Sequence, residues 1–207
     1  MRLFAFCSLG RMAVVAACFA PLTAFSDTPA VGHFKLKNSL DRPVDGYCID
    51  VVGSGRYIRF DMPLTAHNCK GPQLYQDEAV ILEGGKIKFP AYGACATVAG
   101  INGRALPGAA LVPRQCGERS PFLEAESLQR FTFHPDGRVE LSGSGLCMTV
   151  SDQSDSTFEP THRWRPLYMA RCSEVDPTRS QWEFVEYIPR SGVDGWWERK
   201  KTGSSQT

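Results

Sequence analysis

The feature that most constrains this chain is a short phrase written three times. Gly46-Tyr47-Cys48-Ile49-Asp50-Val51, Gly93-Ala94-Cys95-Ala96-Thr97-Val98 and Gly145-Leu146-Cys147-Met148-Thr149-Val150 share the pattern Gly-x-Cys-x-[Asp/Thr]-Val, at offsets of 47 and 52 residues. A second cysteine follows each first one after 21, 21 and 25 residues, as Cys69, Cys116 and Cys172. Self-similarity at a fixed period marks a fold assembled from equivalent units, none of which can bury its apolar face alone.

These six cysteines could pair in many ways, and composition does not choose among them. The repeat does: one bridge per unit gives Cys48–Cys69, Cys95–Cys116 and Cys147–Cys172. Closing loops of this length constrains the unfolded chain by about 3 kcal/mol per bond in the entropic account.

The remainder of each unit also recurs. An alternating apolar and charged run precedes each Gly-x-Cys: His33 to Lys37, Lys86 to Phe89 and Arg138 to Leu141. A second run closes each unit: Ala79 to Leu82, Phe131 to Phe133 and Trp182 to Val185. Alternation at period two marks strands with one buried face. Gly84-Gly85 and Pro135-Asp136-Gly137 supply turn chemistry between units. No segment has a convincing amphipathic helical period, and 14 prolines with 19 glycines suit an all-β chain of short strands. Propellers usually need four or more blades. Three units closing one barrel under a cap of hairpins is the β-trefoil solution, with repeats at about 33–83, 84–134 and 135–188.

Arg2 and Arg11, the apolar run Met12 to Ala20 and the small residues at Ala24 and Ser26 read as a signal peptide over 1–26. That predicts a secreted or periplasmic protein, for which an even set of cysteines implies disulfides. Val15-Ala16-Ala17-Cys18 offers an alternative, a lipid anchor through Cys18. The mature domain then spans 27–190, and 191–207 reads as a disordered tail; Trp196-Trp197 beside basic residues is its one interface-like feature. The formal net charge is +1, and without the two arginines of the leader it is slightly negative. That argues against nucleic acid as a partner.

The three boxes, with their second cysteines and the Gln-x-aromatic segments after them, resemble the ricin-B (R-type) lectin family over roughly 33–187. Gln129-Arg130-Phe131 keeps the family's Gln-x-Trp spacing with Phe for Trp. Trp182 directly follows Gln181, and in the first repeat Asp77-Glu78-Ala79 occupies the register. The resemblance implies a non-enzymatic, carbohydrate-binding protein without a cofactor, whose partners are glycans or glycoproteins carrying a galactose-type sugar. An acid just after the first cysteine would accept from sugar hydroxyls, and a ring before the second cysteine would cover the sugar's C–H face. Only the first repeat keeps the acid, as Asp50; Thr97 and Thr149 stand in the others. The implied site is Asp50 with His67 at the ring position, Tyr57 as an alternative platform, and Gln76 and Asp77 as the amide-type pair. Gln129 and Gln181 read instead as core residues holding backbone.

The four histidines show no metal-ligand spacing, and neither a nucleophile elbow nor a phosphate loop is present. The long segment Ser151 to Arg165, ending His162-Arg163-Trp164-Arg165, reads as a specificity loop, with Trp164 and Tyr168 close to the third repeat's position. A second reading makes the chain a protein-interaction or toxin-delivery subunit built on a degenerate lectin trefoil, similar to the lectin-like subunits of cytolethal distending toxins. A hydrolase inhibitor is a third.

Overall fold

The computed structural model describes residues 29–188 except Asn102, Phe122 and Phe158. The leader at 1–26, Cys18 and the tail at 191–207 lie outside the described residues.

The first unit contributes β1 (Gly32–Leu36), β2 (Tyr47–Asp50), β3 (Thr65–Asn68) and β4 (Ile81–Glu83). The second has β5 (Lys86–Phe89) and β6 (Ala94–Val98), a small hairpin of β7 (Gly100–Ile101) and β8 (Arg104–Ala105), and β9 (Leu111–Gln115). It continues through the ribbon β10 (Arg119–Ser120) and β11 (Leu123–Glu124), the one-turn helix α1 (Ala125–Leu128) and β12 (Phe131–Phe133). The third has β13 (Val139–Leu141), β14 (Leu146–Val150), β15 (Asp155–Ser156), β16 (Arg163–Arg171), the one-turn helix α2 (Pro177–Ser180) and β17 (Trp182–Glu186).

One pairing scheme is used three times. Within each unit the first strand pairs the second, and the second pairs the third, all antiparallel: β1–β2–β3, β5–β6–β9 and β13–β14–β16. The last strand of each unit pairs the first strand of the next, as β4–β5 and β12–β13. β17 returns to β1, with Leu36 opposite Trp182 and Gly32 opposite Glu186. The unit's own ends also touch: Val80 bridges Gly32, the Phe131 N–H donates to Gly85 O (2.7 Å) and the Trp182 N–H to Gly137 O (2.8 Å). The result is a closed β-trefoil of three pseudo-symmetric repeats. Its three disulfides join Cys48–Cys69, Cys95–Cys116 and Cys147–Cys172, one per repeat. Such a set is consistent with an extracellular or secreted protein.

The recurring glycine has a backbone reason. Gly46, Gly93 and Gly145 take φ of +69°, +64° and +71° in the turn before the cysteine strand. A side chain is strained there. Three leucines are buried at the third strands: Leu64 just before β3, Leu111 at the start of β9 and Leu167 within β16. Around them pack Phe34, Leu36, Ile49, Ile87, Phe89, Leu141, Met148 and Trp182. Fully burying each such side chain contributes about 1.5–3 kcal/mol. The cysteine strands β2, β6 and β14 are buried on both faces. The polar residue of each box, Asp50, Thr97 or Thr149, is therefore buried as well.

Candidate functional site

Burial forces each of those three polar side chains to find a partner inside the protein. In the second repeat the partner is Gln129, fully buried. Its amide donates to Thr97 Oγ1 (2.9 Å) and Gln115 O (3.0 Å), and its carbonyl accepts from the Gly117 N–H (2.7 Å). Thr97 passes its own proton to Cys95 O. In the third repeat Thr149 donates to Arg179 O (3.1 Å). Both threonines are thus satisfied by neutral hydrogen bonds.

The first repeat solves the same problem with charge. The Lys70 ammonium donates to Asp50 Oδ2 at 2.6 Å and also to Asp77 Oδ2. The Cys48–Cys69 bridge ties β2 to the segment that carries Lys70. The Lys70 N–H donates to Glu78 Oε2 (2.9 Å), as the Gly117 N–H does to Gln129, so Glu78 occupies the glutamine's position in this repeat. His33 Nδ1 lies 2.8 Å from the other Glu78 oxygen. Asp50 Oδ1 is buried and has no hydrogen-bond partner.

Burial pushes the Asp50 carboxyl up to about 8, and the Asp77 charge beside it adds to that rise against the pull of Lys70. Lys70 is held above its ordinary value: its two carboxylates outweigh the burial that opposes its charge. One ammonium facing two buried carboxyls leaves the trio near neutral when a proton stays on the acids. Burial lowers His67. Burial raises the Tyr92 phenol to about 12, helped by Asp77 and Asp50.

Asp50, His67, Lys70 and Asp77 line one side of a cavity of about 820 Å³. The third repeat supplies a flank of it. β16 extends beyond its hairpin to pair β3, placing Trp164 opposite His67 and Arg165 opposite Ala66. The His162 ring meets the His67 ring edge-on, with centroids 5.7 Å apart. This extension is clamped: Arg165, buried against the Tyr47 ring, donates to Asp41 Oδ1 (2.6 Å) and Ser151 O (2.7 Å). The Arg163 N–H donates to Asn68 Oδ1 at 3.0 Å.

Of the residues singled out from the sequence, Asp50, His67 and Asp77 come together on this cavity, joined by Trp164 and Tyr168. Tyr57 does not join them. It sits on an exposed 3₁₀ turn under the Arg56 guanidinium, which donates to its hydroxyl. Gln76 is exposed and also lies off the cavity lining. Gln129 is the buried backbone-holding hub expected for it. Lys70 and Glu78 were missed, although a signal existed: the one repeat with an acid after its first cysteine also has a base directly after its second. His33, Cys48 and Glu78 place ligand-type atoms within 4.8 Å of one another. Cys48 is held in its disulfide there and offers no thiolate.

Comparison with known proteins identifies the fold. A scan of protein-family models gives no match, and a search of curated protein sequences gives none either. Among solved structures the chain is similar to an agglutinin from Abrus precatorius, with 18% identity and a TM-score of 0.55 over 77% of this chain and 49% of that one. It is similar to the mdaA-1 domain, with 17% identity and a TM-score of 0.52 over 76% of this chain and 91% of that one. It also resembles ThreeFoil, a designed three-fold symmetric protein, with 17% identity and a TM-score of 0.51 over 75% of this chain and 98% of that one. The chain spans about half the length of the agglutinin. These likenesses show the fold alone, a β-trefoil.

Proposed function

We propose that this protein is an exported, non-catalytic, lectin-like trefoil, with a leader over 1–26 and its domain over 27–190. Its carbohydrate site is the cavity bounded by Asp50, His67, Lys70, Asp77 and Trp164, and a galactose-type sugar is the first candidate. The observation that carries this reading is the convergence of Asp50, Asp77 and the Lys70 ammonium on that cavity. Charged groups of this kind make strong hydrogen bonds to hydroxyls, and the partly exposed ammonium keeps a donor beyond the two it gives to the carboxyls. The Trp164 indole offers the apolar face that a pyranose C–H surface needs. Tyr57 and Gln76 stand outside this site.

A glycan array probed with the wild type and with Asp50→Asn tests the reading. Binding to a defined glycan set, weakened at least tenfold by the substitution, supports it. No glycan above background, or binding indifferent to Asp50→Asn, overturns it.

A further inference from the structure

The cavity is larger and more apolar than a single sugar ring requires. At about 820 Å³ it lies in the upper part of the range that encloses a drug-sized ligand, and one hexose would leave much of it empty. Its polar lining includes Asp50, His67, Lys70 and Asp77 from the first repeat and Thr157 and His162 from the third. The remaining wall is mostly apolar and includes Val52, Met62, Leu64, Ala110, Leu167 and Tyr168.

That wall is built where the three repeats meet. The Leu64 N–H donates to Leu111 O (2.7 Å), joining the first repeat to the second. Ala110 bridges Tyr168, joining the second to the third. Trp164 pairs His67, joining the third to the first. The site is therefore not confined to one repeat. Its carboxyls and ammonium belong to the first, and its apolar lining draws on all three.

Among the described lining residues no lysine or arginine is free to meet an anionic ligand. Lys70 is engaged by Asp50 and Asp77, and burial holds His67 toward its neutral form.

We propose that the ligand of this site is an uncharged glycoside with an apolar aglycone, its sugar on Asp50 and Asp77 and its aglycone against the wall around Ala110 and Met62. This rests on the sugar-binding reading above. Each methylene moved from water onto that wall adds favourable transfer energy, so a longer aglycone binds tighter while the sugar contacts stay constant.

Isothermal titration with matched methyl and octyl β-glycosides of galactose, glucose and N-acetylglucosamine, kept below micelle formation, reads this directly. In at least one pair the octyl compound binds tenfold or more tighter than the methyl. Ala110→Trp, which fills the wall, abolishes that advantage; Met62→Ser, which makes the wall polar, reduces it independently if the tryptophan variant fails to fold. Methyl and octyl glycosides binding equally, or an octyl advantage unmoved by both variants, overturns the aglycone assignment and leaves the sugar reading standing. No binding of any glycoside, or octanol binding as tightly as the octyl glycosides, overturns both.

Discussion

The first and second repeats place the same strands around the same disulfide and then diverge at one point. In the second, Thr97, Gly117, Leu128 and Gln129 form a neutral hub: an amide satisfies one hydroxyl and two backbone groups. In the first, Asp50, Lys70, Asp77 and Glu78 stand in those places: the Lys70 ammonium joins Asp50 and Asp77, and the Lys70 backbone N–H donates to Glu78. The neutral hub is complete in itself. The charged one leaves Asp50 Oδ1 buried and without a partner among the described residues, and its carboxyl belongs to the lining of a cavity. A buried ion pair is weak evidence for stability but costly to break by halves. On the proposed function, the second repeat's hub holds the barrel while the first repeat's hub serves the ligand.

The strongest way to break this comparison is Lys70→Met. It strands two buried carboxyls without a cation and lowers stability by about 3 kcal/mol or more near pH 8; urea unfolding measures it, and the loss shrinks toward pH 4 as Asp50 takes up its proton. Gln129→Ala removes three hydrogen bonds from a fully buried site and costs about 2 kcal/mol, with a similar effect at acid and neutral pH because no charge is involved.

The pH slope itself discriminates the two repeats. Asp50 is raised to about 8 in the folded protein, above its ordinary value near 4 in an unfolded chain. The folded state therefore binds that proton more tightly. Stability from this group is fully present below about pH 4, falls as pH rises, and is lost above about pH 8. Asp50→Asn flattens the slope in urea titrations across that window; an unchanged slope would show that Asp50 ionises freely in the fold.

A smaller stability effect comes from converting one hub into the other. The combined change Asp50→Thr, Lys70→Ala, Asp77→Leu and Glu78→Gln keeps stability or raises it by about 1 kcal/mol, as read by thermal melting. Glycan binding disappears in the same variant. The smallest effect belongs to Tyr57→Ala: with the ring exposed and off the cavity, glycoside affinity in titration changes less than about twofold.

The fold was legible because its determinants are local and repeated. Lys86–Phe89 and Phe131–Phe133 coincide with the alternating runs that announced them, and the glycines mark turns with positive φ. Ala79 to Leu82 was read two residues early against Ile81–Glu83, since Ala79 and Val80 are buried but lie before the strand. α1 and α2 are four residues each, too short to leave a helical period. The site was only half legible. Asp50 stood out as a departure among repeats, but its partner Lys70 sits 20 residues away and is joined to it only by the hairpin. The Trp164–His67 contact depends on β16 running past its own hairpin, and nothing in either local sequence specifies the other.

The return of β17 to β1 has a consequence for how this chain matures. The first strand of the domain finds its outer neighbour only in the last, across nearly the whole described length. Contacts so distant in sequence close late and slowly. Until Trp182–Glu186 arrives, Gly32–Leu36 presents an open strand edge, a template for pairing with other chains. A chain cut short before its last strand is therefore an aggregation hazard and not a smaller trefoil, and completion of synthesis becomes the checkpoint for solubility.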